Sequence, residues 1–397
     1  MKYNWQVGQT PPELDTHSSA KHSVYRYYLR RYINVLCSDP RYDGLNLTLI
    51  DGFAGGGVYL RNGQPAPGSP MILLEEIADA EARFAQERIK PFRLNAEFIF
   101  IERDGANYLF LEDTIRRSSF AAGLGTRVNL VEDTFETALP RIIQRIKARG
   151  RAQRCIFFLD QFGYKQVSFD TVRTILANVQ KPEIILTFAV DHLIDYPNNS
   201  PKFIEAVRPV ELSVQHIQEL ISIKDQREAR WVIQNFLYAH LVNQTEAPYY
   251  TCFFIKSSES HRSYWLVHIS KHPKARDEMA LQHWQHIEHL ARSAAKIATR
   301  RWVRLTPPRT SPCASPTGKT RGAQGCANSW RSAPPYSSNP LAASWLAAPL
   351  RGDPCVRSRT QESGRSGPNS AVLATIEAMS PWLLQIAEQK NGPRQSP

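Results

Sequence analysis

The chain has 397 residues, 42% hydrophobic and 22% charged, enough for one large domain with additions or for two domains. It holds no run of eighteen apolar residues, which excludes a helical membrane span. Its six cysteines lack CxxC spacing, which argues against a disulfide framework or a zinc ribbon. The first fifteen residues, MKYNWQVGQTPPELD, lack the basic-then-apolar pattern of a signal peptide, so a cytoplasmic location is expected.

The net charge of +12 is not shared evenly. Residues 291–397 hold 15 Lys and Arg against 4 Asp and Glu, so the first 290 residues are close to neutral. A nucleic-acid-binding role driven by charge would therefore rest on the tail alone.

Residues 1–15 are expected to form an N-terminal arm. Residues 16–36 then read as an amphipathic helix with Val24, Tyr28, Tyr32 and Val35 on one face. LNLTLIDGF (45–53) is a β-rich run. A Gly/Pro loop follows, and Ser69-Pro70 reads as the N-cap and first residue of a helix. Strand-like runs recur at 96–104, 127–133, 154–163 and 183–191, and amphipathic helical stretches separate them. A polar stretch carries two helical patterns, at about 212–224 and 227–243. YYTCFFIKS (249–257) and SYWLVHIS (263–270), joined by a short polar loop, read as a hairpin.

Apolar runs alternating with amphipathic helices imply a mostly parallel sheet with helices on both faces. With the C-terminal antiparallel hairpin, the pattern fits a Rossmann-like, class I methyltransferase-like α/β domain over residues 16–290. Residues 291–397 hold 13 of the 27 prolines, three of the six cysteines and no phenylalanine, with no sustained period. They read as a low-complexity basic tail, either disordered or the product of a frameshift.

In such sheets ligands sit at the carboxyl ends of the strands. There the five parallel strands are followed by Asp51, Glu102, Asp133, Asp160 and Asp191. The first turn, Asp51-Gly52-Phe53-Ala54-Gly55-Gly56-Gly57, is glycine-rich. It departs from the dinucleotide fingerprint, because Leu60 stands where a third glycine would, and the chain has no GxxxxGK[ST] phosphate loop. Glycines here would let backbone N–H groups approach a ligand, and a carboxylate-bearing, glycine-rich turn suits a ligand with a zwitterionic amino-acid end. Glu102 would take two ribose hydroxyls and Asp133 an adenine amino group, so the set Asp51, Gly52, Phe53, Ala54, Gly55, Gly57, Glu102 and Asp133 describes an S-adenosylmethionine (SAM) site. The alternative for each carboxylate is a helix cap.

IDGFAGGGVY, the GSP at 68–70, FIFIERD, FFLDQFGY and ILTFAVD together resemble the three-Cys-motif partner protein (TcmP) family over roughly residues 16–290. AKHSVYRYYLRRY and HISKHPKARDEM extend the likeness. It implies a methyltransferase-like protein that acts with a three-Cys-motif partner in a mobile-element or phage-defence setting, on nucleic acid or on a product of the partner. A non-catalytic binding or partner protein is the alternative. Gln161 departs from the common family form, which has Pro. Asp160, Gln161 and Phe162 are the candidate catalytic group, by likeness to the (D/N)PPY motif of amino-methylating enzymes, whose Pro-Pro is missing here. The alternative role for Asp160 is to cap the next helix or close the cofactor pocket.

Other signals are weaker. His283, His286 and His289 share helical spacing, for which a solvated face is the plain reading, and no metal is expected. Lys21 and Arg276 are either anion-binding or ion-paired. Cys155, inside a strand run, reads as an inert buried thiol.

Overall fold

The computed structural model describes residues 3–150, 154–224, 229–256 and 263–283. The expectations for the 291–397 tail and for His286 and His289 lie outside these residues. Helix α1 (Thr16–Leu36) comes first, capped by Asp15, whose carboxylate accepts the Ser18 N–H. Its buried stripe is wider than the predicted one and adds Tyr25, Leu29 and Ile33, while Val35 is only half-buried. Then follow β1 (Gly44–Asp51), β2 (Val58–Arg61), β3 (Gln64–Pro67), α2 (Ser69–Glu87), β4 (Arg93–Glu102), α3 (Gly105–Arg116), β5 (Val128–Glu132), α4 (Phe135–Ala148), β6 (Arg154–Leu159), α5 (Phe169–Asn178) and β7 (Lys181–Phe188). Four helices come next: α6 (Asp191–Asp195), α7 (Pro201–Val207), α8 (Val214–Lys224) and α9 (Ala229–Thr245). Strands β8 (Tyr249–Lys256) and β9 (Ser263–Ser270) close the sheet, and residues 273–283 are helical.

The sheet runs β5-β4-β1-β6-β7-β9-β8. Its first five members are parallel, and β9 is antiparallel to both β7 and β8. The first parallel strand is central, and the chain reverses direction between β4 and β6 on either side of it. That is the switch point at which such sheets bind ligands. This is the Rossmann-like, class I methyltransferase-like order expected from the pattern of runs.

Side chains alternate across the sheet. Leu47 and Leu49 of β1, Phe98 and Phe100 of β4 and Ile156 and Phe158 of β6 join one core with Tyr25 and Leu29 of α1. Phe157, equally buried, points to the other layer and meets Phe135 of α4 edge-on at 6.2 Å.

Three local expectations change. Residues 58–67 form a β2–β3 hairpin and not a loop. Asn62 and Gly63 both have positive φ, 54° and 73°, as a tight two-residue hairpin turn requires. Helix α2 is capped by Gly68, with Ser69 its first residue, so Ser69 is not the cap. Its hydroxyl instead hydrogen-bonds the Asp51 carboxylate. His283 is buried and not on a solvated face. Arg276 pairs with Asp277, and Cys155 is buried with its thiol pKa pushed well up by burial.

Candidate functional site

A cavity of about 320 Å³ opens at the carboxyl ends of β1, β4, β5 and β6, within the range typical of small-molecule sites. Gly52, Phe53, Gly55, Glu102 and Asp133 line it, as do Asp160, Gln161 and Phe162. Asp51, Ala54 and Gly57 do not. Asp51 lies under the turn at 1% exposure, accepting the Phe53 N–H at 3.1 Å. Burial pushes its carboxyl up to about 7, against hydrogen bonds from Ser69 and Phe53. Asp191 also stays outside the lining and pairs with Arg230.

Three N–H groups of the glycine turn are spent on the protein itself. Gly52 donates to the Phe158 carbonyl, Ala54 to the Ile101 carbonyl and Gly55 to Glu102 Oε2, all at 2.9 Å. The expectation that these donors face a ligand is therefore corrected. What the missing side chains admit is Trp5. A Cβ on Gly56 would lie 2.4 Å from its indole, and Gly55 has φ of 60°. Trp5 is 3% exposed. Its backbone N–H donates to Asn107 at 3.0 Å and its indole N–H to the Val58 carbonyl at 2.7 Å. The N-terminal arm is thus a wall of the site. It is held to β2 by the Leu14 N–H on the Leu60 carbonyl and the Leu60 N–H on the Pro12 carbonyl.

Glu102 is 5% exposed and fixed at both oxygens, by the Gly55 N–H at 2.9 Å and the Asp104 N–H at 2.8 Å. Each oxygen keeps a further lone pair. Asp133 accepts the Thr134 N–H at 2.8 Å and pairs with Arg141 at 2.6 Å. Helices α3 and α4 are capped by Asp104 and Thr134, so neither Glu102 nor Asp133 serves as a cap.

Asp160 does not cap a helix either, since Ser168 caps α5. Both its oxygens accept from Lys21 Nζ, at 2.5 and 2.6 Å. Burial would raise its pKa, but the Lys21 ammonium outweighs that and holds it below the usual carboxylate range. Beside this pair, burial and the Lys21 charge push His22 down to about 4. Gln161 is 3% exposed, and its Oε1 accepts the Gln166 and Val167 N–H groups at 2.9 and 3.1 Å. Phe162 is exposed at the cavity mouth.

Sequence reasoning missed Tyr3, Trp5, His17, Tyr59 and Tyr264 as lining residues, and the pairing of Lys21 with Asp160. Tyr3, Trp5 and Tyr59 form a mutual aromatic cluster with centroids 5.1–5.8 Å apart, and His17 stacks on Tyr264 at 5.0 Å. Two aromatics in an otherwise polar arm were the available signal.

No protein-family model matches the sequence, and neither does any curated protein. Several solved structures are similar in fold. A Legionella pneumophila protein of the DUF519 family is 10% identical over 68% of this chain and 91% of its own, with a TM-score of 0.36. Trm1 from Pyrococcus horikoshii, solved with S-adenosyl-L-methionine, is 12% identical over 70% of this chain and 61% of its own, at 0.33. M. jannaschii TYW2, in complex with AdoMet, is 9% identical over 65% and 76%, at 0.28. At these scores the fold assignment stands on the strand order. Among the described residues no helix is long and apolar enough to cross a membrane.

Proposed function

We propose that this protein binds S-adenosylmethionine in the strand-end cavity and is a methyltransferase-like protein of the three-Cys-motif partner type. The observation that carries the reading is Glu102. It is buried, lines the cavity at the end of the second parallel strand, and is oriented by two backbone donors with lone pairs to spare. Such a carboxylate suits a vicinal diol, and the neighbouring Phe53 and Phe135 offer apolar surface for a base. The volume and the buried donor on Gln161 also fit the cofactor.

When bound, SAM supplies a methyl group on a cationic sulfur. The chain's own contribution is to position the two reactants and exclude water, for which Trp5 and Tyr59 wall one side and Phe162 marks the mouth. The motif resemblance supports a three-Cys-motif partner, a nucleic-acid or partner-derived acceptor and a mobile-element or phage-defence setting, and the scattered cysteines support a cytoplasmic location.

A second reading, binding without turnover, is favoured by one observation: Lys21 engages both oxygens of Asp160, so this carboxylate is already paired where it would hold an acceptor nitrogen. Calorimetry with S-adenosylhomocysteine tests cofactor binding. Transfer of labelled methyl to bulk nucleic acid or to the three-Cys partner then separates the two readings. No binding at millimolar ligand would sink both.

A further inference from the structure

Two buried groups, Lys21 and Gln161, meet the half-buried Asp160 at one end of the cavity. The Lys21 side chain is 7% exposed, and two of its three N–H bonds go to Asp160. Gln161 cannot be flipped, because turning its amide would set N–H groups against the Gln166 and Val167 donors. Its Nε2 is therefore a true donor, and it has no partner among the described residues. A donor buried without a partner is costly, and the cavity that Gln161 lines is where a partner can come from.

The charges narrow what that partner can be. The end of the cavity holds a cation and an anion already joined. A lone substrate ammonium would have to compete with Lys21 for Asp160, and a lone anion would lie against the Asp160 carboxylate. A group carrying both charges meets neither objection. Its anion faces Lys21 and Gln161 while its cation faces Asp160, so two opposed dipoles pair without stranding a charge. The other lining cation, Arg103, is exposed and adjoins Glu102 at the opposite, carboxylate-rich end.

We propose that Lys21, Asp160 and Gln161 form a clamp for a zwitterionic α-amino-acid end group. Its carboxylate is taken by Lys21 and the Gln161 amide, and its ammonium by Asp160. The source is the methionine end of the cofactor, so the proposal rests on the SAM reading above. It makes Asp160 a binding group, and it places the nucleoside at Glu102 and Asp133.

Two ligands isolate the clamp. S-adenosylhomocysteine carries the amino-acid end, and 5′-methylthioadenosine keeps the nucleoside and sulfur without it. Calorimetry on the full chain should show tighter binding of the former. In Lys21→Met, its affinity should fall at least about tenfold, as for loss of a charge-assisted contact, while that of 5′-methylthioadenosine changes less than about twofold. Should Lys21→Met leave Asp160 too exposed energetically to fold, the neutral pair Lys21→Met with Asp160→Asn gives the same comparison. Binding of both ligands with an unchanged affinity ratio in these variants overturns the clamp and leaves the cofactor reading intact. Binding of neither ligand to the unmodified protein overturns both. Binding of free homocysteine without S-adenosylhomocysteine would assign the end group to a substrate and overturn the cofactor orientation. Asp160→Asn that loses methyl transfer at unchanged affinity would return Asp160 to the methyl acceptor.

Discussion

Asp51 and His22 should give the protein two opposing pH responses that hide each other. Asp51 is 1% exposed and burial lifts its carboxyl to about 7. Between its ordinary value of about 3.9 and that point, the folded chain holds a proton that the unfolded chain has released. Stability from this proton is complete below about pH 4 and is lost as pH rises through 7, by roughly 4 kcal/mol at about 1.4 kcal/mol per pH unit. His22 is 7% exposed and lowered to about 4, chiefly by burial. Here the unfolded chain takes the proton first, so its contribution is complete above about pH 6.5 and is lost as pH falls toward 4, by roughly 3 kcal/mol. From pH 4 to 6.5 the two slopes cancel. Asp51→Asn keeps an acceptor for the Phe53 N–H and removes one slope. Urea unfolding at pH 4.5, 6 and 8 should show the variant gaining about 3 kcal/mol on the parent protein as pH rises. A difference that stays level across this range refutes burial as the cause.

His22→Gln should behave in the opposite sense. Its advantage over the parent is largest at pH 4.5, at roughly 2–3 kcal/mol, and vanishes by pH 8 in the same unfolding series. Glu102→Gln presents an amide to two backbone donors and can satisfy only one. It should lose about 1–3 kcal/mol of stability in urea and weaken S-adenosylhomocysteine about tenfold by calorimetry. Retained affinity in the folded variant would remove Glu102 from the site. Gly56→Ala puts a Cβ 2.4 Å from the Trp5 indole, so the arm must leave its seat. Hydrogen exchange of residues 3–14 should quicken, whereas unchanged protection would show that the turn can yield instead.

The sheet was legible because its strands are continuous apolar runs separated by amphipathic helices, a signal that tertiary context rarely overrides. The five strand-end carboxylates were legible as a set, but their individual states were not. Whether Asp51 lies under the turn, Asp160 meets Lys21 or Asp191 meets Arg230 depends on partners as far as 139 residues away in sequence. The β2–β3 hairpin was in reach through Asn62-Gly63, since both positions need positive φ, but Pro65 and Pro67 just after that turn suggested a loop. The use of the glycines was misread for a physical reason. Missing side chains show that something comes close, and they do not say whether it is a ligand or an indole of the same chain.

The cavity wall reaches from Tyr3 in the arm to Tyr264 in β9. Its far edge depends on β9 entering between β7 and β8, a step that waits for almost the whole domain to be present. Contacts of such long sequence separation form late and slowly. A ligand seated there therefore reports on the completed topology and not on one lobe. Because it binds only that state, it should raise the melting temperature of the entire domain in proportion to the logarithm of its concentration. A thermal-shift titration thus measures affinity and the integrity of the β7–β9–β8 edge together.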